Sequence, residues 1–204
     1  MYEIIDRFIV IESLDGVGTS TQMKLLQERS WSQGVDAVFT FEPTDGVVGQ
    51  QIRTILARDA EVMPETLAML YAADRNEHLF DPDTGIVKTA RSGRWVFCDR
   101  YLFSSLAYQG TLCDWDFVFS LNARFPLPEY LLFVDLSPEA AEARRKGRSS
   151  DGDLLEGLSL QHRVYEQYQR ILQEYTNSGM KIHILDGRPD PEVISDQIWQ
   201  TVFR

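Results

Sequence analysis

The sequence predicts an α/β fold in which helices flank a parallel sheet. Five short runs, over residues 7–12, 36–41, 94–99, 130–136 and 181–186, are rich in Val, Ile, Leu and Phe without strict alternation. That composition belongs to strands buried on both faces. Helical stretches separate the runs, and strand–helix alternation implies right-handed crossovers and layered packing. The chain has 204 residues, 44% of them apolar, which suits one domain over residues 1–204 with its own core.

The first run opens into the most informative segment, FIVIESLDGVGTST at residues 8–21. It follows the phosphate-loop pattern G-x-x-x-x-G-K-[ST] with two departures. Ser13 stands at the first glycine, Gly18 at the second, Thr19 at the lysine and Ser20 at the hydroxyl position. The expected phosphate-binding set is Ser13, Leu14, Asp15, Gly16, Val17, Gly18, Thr19, Ser20 and Thr21. Gly16 and Gly18 permit a tight turn whose N–H groups face phosphate oxygens. A helix over 21–33 adds its positive end. The Ser20 hydroxyl stands where a Mg2+ ligand belongs, or, in an ordinary strand–helix turn, where an N-cap belongs.

The second run is followed by Glu42-Pro43-Thr44-Asp45 and a helix over 47–58. A helix over 64–80 puts Tyr71 and Arg75 at i, i+4, on one face. A ring beside a guanidinium suits a planar base, while a core tyrosine and a salt-bridged arginine fit the same spacing. A helix over 82–92 precedes the third run, which ends in Asp99-Arg100. A carboxylate there can hold Mg2+, and the arginine can neutralise phosphate charge. One helix is expected over 104–125 and another over 138–146. The segment RRKGRSSDGDLLEG at 144–157 is charged and glycine-bearing, and reads as a mobile surface loop. Helices over 159–178 and 191–203 flank the fifth run. Ligands of such sheets bind at the carboxyl ends of the strands, so these polar strand ends mark one site.

A net charge of −11 argues against nucleic acid as a partner, because nucleic-acid binding needs basic surface. Cys98 and Cys113 read as free thiols of a reducing cytosol. The segment MYEIIDRF has no signal-peptide pattern, and the apolar runs are too short to span a bilayer. A cytoplasmic chain without membrane contact is expected.

Four segments carry a family resemblance: FIVIESLDGVGTSTQ (8–22), TFEPTDGVVGQQIR (40–53), LYAADRNEH (70–78) and DRYLFSSLAYQG (99–110). Together they resemble the thymidylate kinases, over essentially the whole chain. The resemblance implies a three-layer P-loop kinase fold with strand order 2-3-1-4-5 and a short lid near 144–157. It implies phosphoryl transfer from ATP to dTMP with Mg2+, usually by a homodimer. On these positions Asp15 is the loop acid near the deoxyribose 3′-OH and the magnesium site. Glu42 and Pro43 form the acceptor-site turn, and Arg53 meets the acceptor 5′-phosphate. Tyr71 stacks on thymine, and Arg75 reaches its O4. Arg100 bridges acceptor and donor phosphates. Ser105 reads the thymine edge, with Ser104 and Gln109 in the same pocket, and Tyr108 packs under the sugar. The metal position is shared by Ser20 and Asp99.

The family carries its catalytic arginine either in the phosphate loop or in the lid. Gly16 follows the loop acid here, and the lid carries Arg144, Arg145, Lys146 and Arg148, so the chain is similar to the lid-arginine type. Arg145 and Arg148 are the expected catalytic pair, with Arg144 on the ATP phosphates. Thr19 in place of lysine removes a charge whose loss costs roughly 2–4 kcal/mol of transition-state stabilisation. Lys24 lies about 140° around the helix from Thr19 and is not expected to stand in. A lid cation then compensates, or the chain is a weak or inactive nucleotide-binding homologue. A third reading is a kinase of another deoxynucleotide such as dUMP.

Overall fold

The computed structural model describes residues 2–146 and 157–203. Five strands, β1 (Ile4–Glu12), β2 (Ala37–Phe41), β3 (Trp95–Asp99), β4 (Leu127–Asp135) and β5 (Lys181–Asp186), form one parallel sheet in the order β2-β3-β1-β4-β5. The expected fold class and strand order are both present. Register aligns the carboxyl ends: Asp99 lies opposite Ile11 and Phe41, and Asp135 opposite Asp186.

The central strands are covered on both faces, which is why their sequence does not alternate. Phe8, Ile9, Val10 and Ile11 are wholly buried, as are Phe97 and Cys98. Phe39 stacks on Phe97 at 5.0 Å between ring centres. Each such side chain contributes about 1.5–3 kcal/mol relative to exposure. β1 starts three residues before the expected run because a bulge interrupts its pairing with β4 between Ile5 and Ile9. There Arg7 adopts φ 61° and its N–H donates to the Glu129 carboxylate at 2.7 Å. Polar Asp6-Arg7 at that bulge hides the true strand start.

The helices are α1 (Thr19–Gln33), α2 (Val47–Leu56), α3 (Pro64–Phe80), α4 (Ile86–Arg91), α5 (Leu102–Leu112), α6 (Trp115–Asn122), α7 (Pro138–Lys146), α8 (Leu158–Glu174) and α9 (Pro191–Val202). Four differ from expectation, among them α8, which ends at Glu174 and not at 178 because residues 175–177 form a turn. α1 begins at Thr19 with Gly18 as its N-cap, so Ser20 lies inside the first turn and is not the cap. The helix expected over 104–125 is two. Cys113 has extended backbone, and the Asp114 carboxylate caps α6 by accepting the Phe117 N–H at 2.9 Å. α4 is shorter than 82–92 because the Asp81 carboxylate takes the N–H groups of Asp83 and Thr84 into a turn. Residues 144–146 are the last turn of α7. Residues 147–156 of the expected lid, with Arg148, lie outside the described residues, and Gly157 is the N-cap of α8. Among the described residues no helix is long and apolar enough to cross a membrane.

Candidate active site

β1 delivers the chain into the loop between Ser13 and Gly18 at the carboxyl edge of the sheet. Gly16 and Gly18 take φ 88° and 106°, the left-handed region in which a side chain is strained. Ser13 at the first glycine position is accommodated: it is buried, and its hydroxyl donates to the Leu14 carbonyl at 2.9 Å. Thr19 is buried too, and its hydroxyl lowers the pKa of the Asp99 carboxyl. The residue in the lysine position therefore turns inward and carries no charge toward a phosphate.

Asp99 ends β3. Burial raises its pKa, opposed by the Arg100 charge and the hydroxyls of Thr19 and Ser20. Ser20 Oγ donates to Asp99 Oδ2 at 3.4 Å, while Asp99 Oδ1 is buried without a partner. An unsatisfied carboxylate oxygen beside a hydroxyl fits a hard divalent cation that keeps waters and phosphate oxygens as its other ligands. Ser20 and Asp99 are thus brought together, as the sequence pattern required.

Arg100 has φ 70° and is held on several sides. Its guanidinium pairs with Asp15 from the loop, donates to Ser104 Oγ at 3.2 Å, and lies 5.2 Å from the Tyr108 ring centre. Gln161 of α8 donates to the other Asp15 oxygen at 3.1 Å. Asp15, Arg100, Ser104 and Tyr108 therefore form one cluster.

Beneath it lies a residue that the sequence reading missed. Glu12 is wholly buried at the end of β1. It accepts the Tyr101 N–H at 2.8 Å, the Ser104 N–H at 3.2 Å, the Ser104 hydroxyl at 2.5 Å and the Tyr168 hydroxyl at 2.8 Å. Burial pushes its pKa up to about 7, against the lowering effect of Arg100 and these donors. The available signal was a carboxylate ending an apolar run, the same one that marked Asp99.

The other wall starts at Glu42 and Pro43, joined by a cis peptide, before α2. Arg53 of α2 is held by the carbonyls of Pro43 and Thr44 and by Asp45 at 3.1 Å. Asp74 clamps the turn, accepting the Thr44 N–H at 2.7 Å and its hydroxyl at 2.6 Å. Gly49 is required here, because a Cβ would stand 1.9 Å from the Thr44 carbonyl oxygen.

Tyr71 is half-buried against the Ile52, Ile55 and Leu67 cluster. Arg75, 1% exposed, is committed inside the protein. Its Nε donates to Glu42 at 2.9 Å, one terminal nitrogen to Asn122, and the other to Ser105 at 3.0 Å and Glu42 at 2.7 Å. Of its five N–H groups one remains for an outside acceptor. His78 continues the chain, with Nδ1 3.1 Å from Glu42 and Nε2 2.6 Å from Thr40 Oγ1. Asn122 and His78 were also missed; each is polar within an apolar stretch, a signal too common to single out. Ser105 and Gln109 are buried beside this network on α5.

On the opposite side, Arg144 donates to the carbonyls of Val17 at 3.4 Å, Gly187 at 2.8 Å and Arg188 at 3.2 Å. It borders a cavity of about 260 Å³ that runs from Val17 and Gly18 to Pro189 and Asp190. The Cβ of Arg145 lies 3.1 Å from where a Gly16 Cβ would stand. The end of α7 is thus packed directly on the loop glycine. A second cavity, about 520 Å³, joins Ser20, Asp99 and Arg100 to Pro43 and Arg53.

The profile of the family described as Thymidylate kinase matches residues 11–198. A Treponema pallidum (strain Nichols) protein whose name places it among thymidylate kinases is 38% identical over 197 residues, covering 96% of this chain and 94% of its own. Proteins named "Probable thymidylate kinase" from Methanocaldococcus jannaschii and Thermococcus kodakarensis are 38% identical over 171 residues and 32% over 200. They cover 82% and 94% of this chain, and the same shares of their own lengths.

Proposed function

The chain belongs to the thymidylate kinase family, and from that premise we propose that it transfers the γ-phosphoryl group of ATP to dTMP, giving dTDP and ADP. The bond from the γ-phosphorus to the β–γ bridging oxygen breaks, and a bond to a 5′-phosphate oxygen of dTMP forms. One observation carries the reading: Arg100 hangs between Asp15 of the phosphate loop and Ser104 of the acceptor-side helix. From there a single guanidinium reaches both phosphates.

The remaining groups take these roles. The 260 Å³ cavity behind Val17 and Gly18 suits the donor base. The loop N–H groups and the α1 N-terminus hold donor phosphates. Arg53 exchanges the Pro43 and Thr44 carbonyls for the acceptor phosphate. Tyr71 covers the thymine, and Ser105, Gln109 and the one remaining Arg75 donor read its edge. Tyr108 crowds the sugar. Arg145, with Arg148, brings lid charge to the transferring group. Mg2+, held by Ser20 and Asp99, would neutralise charge between the donor phosphates. The working unit is a cytoplasmic homodimer, for which Val62, Met63 and Met69 offer exposed apolar side chains.

A coupled ADP-release assay with dTMP, dUMP, dCMP and dGMP tests the reaction and its acceptor. Turnover with dTMP well above the others is expected. No dTMP-dependent turnover in Mg2+ sinks the reading.

A further inference from the structure

We propose that Lys24 supplies, from the α1 side of the cleft, positive charge to the phosphates that Thr19 cannot supply. The proposal rests on the phosphotransfer reading above. Seen from Thr19, Lys24 points away around the helix; Ser20 is the relevant neighbour. Lys24 follows Ser20 by four residues and so shares its face of α1. Helical side chains lean toward the N-terminus, which brings Lys24 back over Ser20. The two residues line the same 520 Å³ cavity, together with Asp99, Arg100, Pro43 and Arg53. That cavity joins the Ser20–Asp99 position to the acceptor-side arginine, so an ammonium within it meets phosphoryl oxygens of the transferring group.

Charge accounting narrows the choice. The chain has four lysines. Lys88 pairs with Asp83, Lys146 with Glu142 and Lys181 with Glu129. Lys24 is exposed and, among the described residues, has no carboxylate within salt-bridge distance. Arg100 and Arg53 reach the phosphates with part of their charge already balanced by Asp15 and Asp45, and Arg144 is turned to three carbonyls. An unpaired ammonium on a flexible stem, facing a cavity that is also lined by the half-buried Asp99, is suited to capture a phosphate oxygen as a point charge.

The test is a cycle of Lys24→Ala and Thr19→Lys. Lys24→Ala should lower kcat roughly 10–100-fold with KM for dTMP changed less than about threefold, and Lys24→Arg should recover most of the loss. Restoring the loop charge should make Lys24 dispensable, so Thr19→Lys/Lys24→Ala should match Thr19→Lys within about twofold. Calorimetric titration of ATP, with Mg2+ and with EDTA, gives a readout independent of turnover. Lys24→Ala should weaken ATP binding at least about fivefold in both. A kcat within twofold of wild type overturns the proposal, as does an equal Lys24→Ala loss in the Thr19→Lys background. If the wild-type chain shows no dTMP-dependent turnover, the function reading fails and the titration alone decides: unchanged ATP affinity overturns the role of Lys24, and weakened affinity upholds it. Lys24 is exposed, so thermal stability should match wild type in the Lys24 single variants.

Discussion

Glu12 and Ser104 are joined twice: the carboxylate accepts both the backbone N–H and the hydroxyl of Ser104, at 3.2 and 2.5 Å. The same hydroxyl oxygen accepts from Arg100 at 3.2 Å. A buried carboxylate thus fixes the atom on which the bridging arginine rests, and it does so with a pKa pushed up to about 7.

That elevation has a signed consequence. A carboxylate whose folded pKa exceeds its unfolded value stabilises the fold most when protonated, and the contribution is lost as pH rises from about 4.5 to about 7. The loss amounts to roughly 3 kcal/mol. Glu12→Gln cannot titrate. Its Tm should therefore gain on wild type between pH 5 and pH 8, by about 5–10 °C. Its kcat should fall, because the amide cannot accept all four hydrogen bonds. Parallel Tm–pH curves for the two proteins would refute the role given to burial.

Gly49→Ala forces a methyl onto the Thr44 backbone, which Asp74 and Arg53 hold in place. A loss of about 1–3 kcal/mol is expected. KM for dTMP should rise at least about tenfold, since the displaced turn carries the contacts of Arg53. Chemical denaturation and steady-state kinetics check the two effects separately. Wild-type values in both would show that the turn is freely mobile.

Arg145→Ala should reduce kcat about 100-fold while KM for dTMP stays near wild type, as befits a group that acts on the transferring phosphoryl. A rise in KM with unchanged kcat would instead make it a ground-state binding residue.

Asp114→Ala removes the α6 cap and should cost about 1 kcal/mol, lowering Tm by roughly 2–4 °C. Asp114→Ser should restore most of that. Kinetics should move little, because the capping carboxylate bonds only within its own helix start.

How much of this was readable beforehand depended on whether the signal was local. The phosphate loop, Asp99-Arg100 and the parallel sheet announce themselves within a few residues, because strand burial and turn chemistry are written into short segments. The α5–α6 break was also local, at Asp114, but continuous apolar content on both sides masked it. Arg75 could not be placed from sequence: its partners Glu42, Ser105 and Asn122 come from three separate stretches, and only their convergence makes it an internal tie. The same holds for Arg144, whose acceptors lie in the loop before α1 and after β5. Spacing along one helix correctly put Lys24 away from Thr19, but it did not show the cavity that Lys24 and Ser20 share.

The bond from Tyr168 to Glu12 spans 156 positions. The phosphate loop therefore leaves the ribosome complete in sequence well before the α8 hydroxyl that helps seat its underlying carboxylate. Closing so long a loop is entropically slow, and a chain with β1 formed but α8 undocked leaves the central Glu12 carboxylate without one of its four donors. Maturation of this site is thus tied to the arrival of the last third of the chain. Nucleotide present during refolding should act chiefly on the final, α8-docking phase.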